Sequence, residues 1–354
     1  MRKIVHGGDI YSKSHIENLL DLSANINPLG MPEKVKKAII DNIENYEAYP
    51  DPLCRSLRKA LAEAHNINED FIVCGNGAAD VIFRLVLSLK PKKAIILAPT
   101  FAEYEEALSL NNTEITYYDL KEENNFEIQE DVLESINSDL DVFFMCNPNN
   151  QTGVALKKDK VLKIAEKCKE NNVILIIDEC FSDFLVNEEE YSFVPYLKGY
   201  KNVFILKAFT KMYAMAGIRL GYGLSSNTDL INKISNTGQP WSVSTVAEKA
   251  GLAALEETEF VKNTKEVIRE NRDYLLKELS NLGFTVYDSM INYILFRSPI
   301  SNLKAKIEEY GILIRSCSNY RNLDDSFYRI AVKSYKDSER FINVLKMIIK
   351  EENK

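Results

Sequence analysis

The sequence predicts an α/β protein, with a large domain on a mainly parallel sheet and a smaller α+β domain after it. Three observations carry that expectation. Between residue 69 and about 225, short and nearly continuous apolar runs alternate with amphipathic helical stretches, the pattern of strands covered on both faces. Beyond about residue 243 the pattern changes to long helical periodicity and then three strand-like runs. The 354 residues also exceed what one hydrophobic core usually holds, so a second, smaller unit is expected.

In chain order, residues 1–30, from "HGGDI" to "NINPLG", read as an irregular arm. Helices are expected at 33–46 and 53–65. The apolar runs follow: "FIVC" (71–74), "AIILA" (94–98), "EITYY" (114–118), "DVFFMC" (141–146), "VILIID" (173–178), "NVFIL" (202–206) and "RLGYGL" (219–224). Helical segments such as 80–90 and 159–172 lie between them. The chain then shows helical periodicity over 243–281, strands at "NYILF", "ILIRS" and "FYRIAVKS", and a closing helix from about 336. The expected division is an arm at 1–30, a large domain at 31–245 and a small domain at 246–354. No repeat, low-complexity tract or Gly/Ser linker separates them, so the small domain should pack on the large one.

Composition narrows the function. The net charge of -8 argues against a general nucleic-acid binder, which needs a positive surface to displace counterions from phosphates. No apolar stretch approaches the roughly 20 residues that span a bilayer, and the first residues lack an apolar signal core, so a cytoplasmic protein is expected. The six cysteines are scattered without a Cys-x-x-Cys pair and read as reduced, buried thiols. The three histidines, His6, His15 and His65, all precede the apolar runs. That leaves little material for a metal centre or a Ser-His-Asp triad, and no metal is expected.

The polar residues after each apolar run form a set that one ligand explains, because ligands gather beyond the carboxyl ends of parallel strands. After "FIVC", Gly75-Asn76-Gly77-Ala78 opens a helix whose N-terminus favours an anion. It is neither a Walker loop nor a dinucleotide fingerprint. Asn150 stands in "NPNNQTG" after "DVFFMC", and Asp178 ends a run apolar enough to be buried, where a carboxylate requires a cation or donors. Lys211 and Thr210 follow "NVFIL", with Arg219 after them. Each alone reads as a turn, a cap or a surface cation. Together they suit pyridoxal phosphate: a partly desolvated lysine for a Schiff base, a carboxylate for the ring nitrogen, an amide for the phenolic oxygen, and small residues with Thr210 and Arg219 for the phosphate.

The order of "GNG", "NPNNQTG", "IIDECFSDF" and "TKMYAMAGIRLGYG" resembles the fold-type-I pyridoxal-phosphate enzymes, in the branch of histidinol-phosphate aminotransferase. Further segments, "HGG", "SANINPLGMP", "YPDP", "FAEY", "PWSV" and "ILIRSC", resemble that branch's decarboxylases of phosphorylated amino acids, which serve cobalamin synthesis. The resemblance implies pyridoxal 5'-phosphate on Lys211, with Asp178 at its ring nitrogen and Asn150 at its phenolic oxygen. It implies Tyr104 stacked on the ring, and Gly77, Ala78, Thr210 and Arg219 at the phosphate. Tyr49 is implied to reach the active site of a neighbouring subunit, hence a homodimer. His6, Gly7, Gly8, Asn25, Arg315, Arg329 and Lys333 are implied to face the substrate.

Three residues depart from the pattern the resemblance implies. Gln151 stands where proline is usual, Ala208 replaces a hydroxyl residue, and Phe181 stands where many aminotransferases carry tyrosine. Phenylalanine there is shared with the decarboxylases. The implied reaction is loss of carbon dioxide from threonine phosphate. Decarboxylation of serine phosphate, transamination with 2-oxoglutarate, and a non-catalytic binding module stay open as alternatives.

Overall fold

The computed structural model describes residues 7–13 and 15–352. Its first strand, β1 (Leu20–Asp21), lies in the arm. The apolar runs follow as β2 (Ile72–Gly75), β3 (Lys93–Ala98), β4 (Glu114–Asp119), β5 (Val142–Cys146), β6 (Ile174–Asp178), β7 (Val203–Ala208) and β8 (Gly221–Leu224). They form one sheet of order β2-β8-β7-β6-β5-β3-β4, in which only β8 runs against its neighbours. The period-2 alternation shows why the runs are continuously apolar. Phe143, Leu175, Ile177 and Ile205 enter one core cluster, while Phe144, Ile176, Phe204 and Leu206 enter another across the sheet. Each such side chain contributes roughly 1.5–3 kcal/mol on burial.

The helices are α1 (Glu33–Asp41), α2 (Arg55–His65), α3 (Ala78–Leu89), α4 (Ala102–Leu110), α5 (Lys158–Glu170), α6 (Thr228–Ser235), α7 (Thr245–Leu255), α8 (Thr258–Asn281), α9 (Leu303–Glu308) and α10 (Tyr335–Glu352). The helix expected at 33–46 stops at Asp41 and continues as a 3₁₀ segment, Ile43–Glu47. The periodicity over 243–281 is two helices. α7 packs on α1 and α2, whereas α8 packs on α10, so the packing partner changes after α7, beyond the boundary expected at residue 245.

The second sheet has the order β12-β13-β10-β9, from β9 (Thr285–Val286), β10 (Tyr293–Arg297), β12 (Arg315–Ser316) and β13 (Phe327–Ala331), all antiparallel. "ILIRS", expected as one strand, divides between two sheets. Its first part, β11 (Ile312–Leu313), pairs in parallel with β1 and ties the arm to the C-terminal unit. Among the described residues no helix is long and apolar enough to cross a membrane, no cluster of ligating side chains could hold a metal, and all six cysteines are free.

Candidate active site

At the carboxyl ends of the parallel strands a single cavity gathers the polar residues. Ala78 and Ala79 line it from the start of α3, and Phe101 from just before α4. Cys146 and Asn150 reach it after β5, then Asp178, Cys180 and Phe181 after β6. Ala208, Thr210, Lys211 and Arg219 close it after β7.

Asp178 shares the sheet face of Ile176 and is buried. Its Oδ2 accepts from the Tyr104 hydroxyl at 2.5 Å and its Oδ1 from the Cys180 N–H at 2.9 Å. Among the described residues no cation pairs with it. Burial raises its pKa, while these two hydrogen bonds favour the ionised form. The half-buried Lys211 holds its Nζ 5.9 Å from the centroid of Phe181. Burial, and next the Arg329 charge with that of Arg219 behind it, pulls its ammonium down to about 8.

Asn150 and Arg329 fix each other. The Asn150 Oδ1 accepts from Arg329 Nη1 at 2.7 Å, and because a guanidinium only donates, the amide orientation is determined. Its Nδ2 donors remain for the cavity. Gly77 adopts φ +83°, and a Cβ there would fall 2.6 Å from Arg219 Nη2, so the guanidinium lies directly against the backbone that opens α3. Arg219 itself sits at φ +62°, a conformation held for a non-glycine residue only by its surroundings. This guanidinium and the N-terminus of α3 make one anion cradle.

Tyr104 corrects an expectation. Its ring is fully buried, stacked on Phe144 at 5.1 Å, and only its hydroxyl reaches toward the site, on Asp178. Phe101, packed edge-on against Tyr104, lines the cavity in its place, with Phe181 as the other aromatic of the lining. The residue nearest the strand end faces the crevice, and the one a helical turn later lies deeper. That position was the readable signal for Phe101; Cys146 and Cys180, which also line the cavity, carried none beyond their adjacency to strand ends.

On the substrate side, Arg315 and Arg329 stand directly opposite each other on β12 and β13, so the two guanidinium side chains share a sheet face. Like charges so placed are unfavourable without an anion. Arg329 is buried over the ring of Tyr293, and among the described residues no carboxylate pairs with it. Arg315 donates to Asn319 Oδ1 at 2.7 Å and lines a second cavity with Gly7, Ser23, Lys13 and Lys304. Gly7 needs its missing side chain, because a Cβ would lie 2.1 Å from the Ser23 carbonyl oxygen; Gly8 N–H donates to Ser23 Oγ. The same Ser23 carbonyl accepts from Arg329 Nη2, which joins the arm to the arginine. Asn25 is buried with an unpartnered Oδ1.

Arg329 and Asn25 line neither cavity themselves, Arg329 reaching the first through Asn150, and two further candidates stand apart. Lys333 donates to the Ile26 carbonyl at 3.3 Å, beside the arm and in neither cavity. Tyr49 is exposed and stacked on Trp241 at 4.8 Å, likewise outside both. His6 lies outside the described residues.

A mainly parallel sheet with a lysine, a buried carboxylate and an anion cradle at its strand ends defines a fold-type-I enzyme of the aminotransferase fold. The chain belongs to the aminotransferase class I and II family, whose model matches residues 17–345. It is 38% identical to a threonine-phosphate decarboxylase of Salmonella typhimurium, over 97% of this chain and 96% of that protein. Among solved structures it resembles a histidinol-phosphate aminotransferase from Clostridium acetobutylicum, with TM-score 0.89 and 34% identity, covering 94% of this chain and 100% of that one. It also resembles an L-threonine-O-3-phosphate decarboxylase from Porphyromonas gingivalis, with TM-score 0.84 and 25% identity, covering 94% and 100%.

Proposed function

We propose that this chain is a pyridoxal 5'-phosphate-dependent carboxy-lyase that converts L-threonine O-3-phosphate to (R)-1-aminopropan-2-yl phosphate, the linker of the cobalamin side chain. The observation carrying the reading is the buried, cation-less Asp178 in one cavity with Lys211 and the Arg219 cradle, beside a pair of opposed arginines. The substrate class follows that of its relatives, the threonine-phosphate decarboxylases of Salmonella and Porphyromonas.

The residues fit that cofactor. A ring N–H⁺ meets the cation demand of Asp178, Asn150 Nδ2 is oriented to donate to the phenolic oxygen, and Gly77, Ala78, Thr210 and Arg219 suit the phosphate. Phe101 takes the ring-facing place, and Tyr104 supports Asp178. When bound, the cofactor supplies an electron sink for the pair left at the α carbon. Asp178 keeps a proton at the ring nitrogen, Arg329 grips the substrate carboxylate, and Arg315 with the arm from His6 to Gly8 and Asn25 receives the substrate phosphate. Lys333 adds positive charge at longer range. Phe101, Phe181 and Cys180 line the cavity that holds Lys211 and would keep water from the reacting centre. Lys211 Nζ then delivers a proton to the α carbon.

A homodimer belongs to the same reading. Ile40, Ile43, Tyr49, Leu53 and Trp241 are exposed large apolar residues, and a second copy that covered them would bring Tyr49 to its neighbour's site.

The alternative is a histidinol-phosphate-type aminotransferase, favoured by the name of the Clostridium relative. Incubation of the purified holoenzyme with threonine phosphate and no keto acid decides between them. Catalytic release of carbon dioxide with one amine per molecule is expected; turnover only with 2-oxoglutarate would reject the proposal. Serine phosphate in the same assay tests the methyl group, which is worth about 1–3 kcal/mol of discrimination. Cofactor attachment requires the neutral Lys211 amine. With that ammonium at about 8 and not its ordinary 10.5, the rate at which apo-protein takes up pyridoxal phosphate should rise with pH and level off above about 8, as stopped-flow absorbance would record.

A further inference from the structure

Gln151, which stands where the resemblance implies proline, is 0% exposed, and its Oε1 accepts from Arg329 Nη1 at 2.6 Å. Nη1 has two N–H groups, and Asn150 Oδ1 takes the other. Nη2 gives one N–H to the Ser23 carbonyl. What is left of the guanidinium is its side edge: the Nε–H, buried without a partner, and the second Nη2–H. The Gln151 Nε2 is also buried without a partner, and its identity as nitrogen is fixed because the other amide atom faces a pure donor. Two residues joined by a hydrogen bond thus hold unmet donors, each costly in isolation, and a carboxylate on the Nε and Nη2 edge would satisfy that of Arg329.

We infer that Gln151 is a positioning residue for the substrate carboxylate. It fills Nη1 together with Asn150 and leaves Arg329 a single two-pronged fork, Nε with Nη2, for that group. A proline has no side-chain acceptor and would return one Nη1–H to the site, allowing the carboxylate a second, end-on pose. The inference rests on the proposed function, in that it takes the ligand to be an amino acid carrying both carboxylate and phosphate.

The test separates the carboxylate from the phosphate. Holoenzyme is titrated with threonine phosphate, and separately with 1-aminopropan-2-yl phosphate, which lacks the carboxylate; binding is read from the cofactor absorbance before turnover. Gln151→Met should weaken threonine phosphate about ten-fold and leave the amine phosphate within about two-fold of wild type, since a hydrogen bond to a charged group is being removed. Gln151→Glu should weaken the first ligand at least as much, because its carboxylate competes for Arg329. If Gln151→Met fails to fold, as judged by thermal melting, Gln151→Leu, which likewise has no acceptor for Nη1, carries the same comparison. Equal effects on both ligands, or none on either, would overturn the inference. A wild-type enzyme that binds neither phosphate would instead remove the proposed function on which it stands.

Discussion

Lys211→Ala should end carbon dioxide release, with a loss of at least about 10⁴-fold, because one side chain both anchors the cofactor and moves the proton. The fold should not suffer. Lys211 is half-buried among like charges, with Arg329 and then Arg219 pulling its pKa down, so removing its amine relieves repulsion. The apo variant should therefore melt at or above the temperature of the apo wild type while showing none of the cofactor's covalent absorbance. A variant that keeps more than about a hundredth of the wild-type rate would sink the role given to this lysine, since acid–base assistance alone is worth 10²–10⁴. A variant that loses both activity and stability would mean that Lys211 serves packing.

The fold was legible where a strong physical constraint acts on contiguous residues. Strands buried on both faces must be apolar at nearly every position, so β2, β3 and β5 to β8 stood out as runs, and the residues just beyond them followed as the candidate site, whereas β4 is a partly exposed edge strand. What stayed hidden depends on partners distant in sequence. The division of "ILIRS" between two sheets is set by β1 and β13, from opposite ends of the chain. The helical pattern over 243–281 is continuous in polarity, and the break falls where α7 leaves α1 and α2. Tyr104 and Phe101 share one helix start, and only the direction of α4 decides which ring faces the cavity. Gln151 read only as a departure from proline because Arg329, its partner, lies far along the chain.

Lys207→Met should be strongly destabilising, costing about 3–5 kcal/mol, the range for removing one member of a buried ionic group. By the alternation of β7, Lys207 points to the sheet face opposite Leu206, away from the cluster that holds Tyr104. It is 3% exposed, with Nζ at 2.8 Å from Glu188, 3.0 Å from Asp183, 3.9 Å from Glu179 and 2.9 Å from Ser182 Oγ. Burial alone would depress its pKa, but Asp183, Glu188 and Glu179 together raise it well above the usual lysine range. Burial would likewise raise Glu188, yet Lys207 holds it at about 2, whereas burial wins at Glu179 and pushes it up to about 7. Without the lysine, these carboxyls in the folded state should all hold protons more tightly than in the unfolded chain. Stability of the variant then rises as pH falls from neutrality, since the native state binds more protons. In the wild type, Glu179 and Asp183, already raised by burial, give a smaller rise of the same sign over that range, and the contribution of Glu188, present above its unfolded value of 4.5, is lost only as pH falls from there toward 2. The gap between the two proteins should therefore narrow on acidification, and urea denaturation at pH 7.5 and 5.5 would measure it. A gap that widens, or one below about 1 kcal/mol at pH 7.5, would show that Lys207 is not what these carboxylates need. Because Asp178 takes its hydrogen bonds from Tyr104 and Cys180 and none from Lys207, the folded fraction of the variant should still take up the cofactor, leaving the loss to the scaffold beneath the sheet.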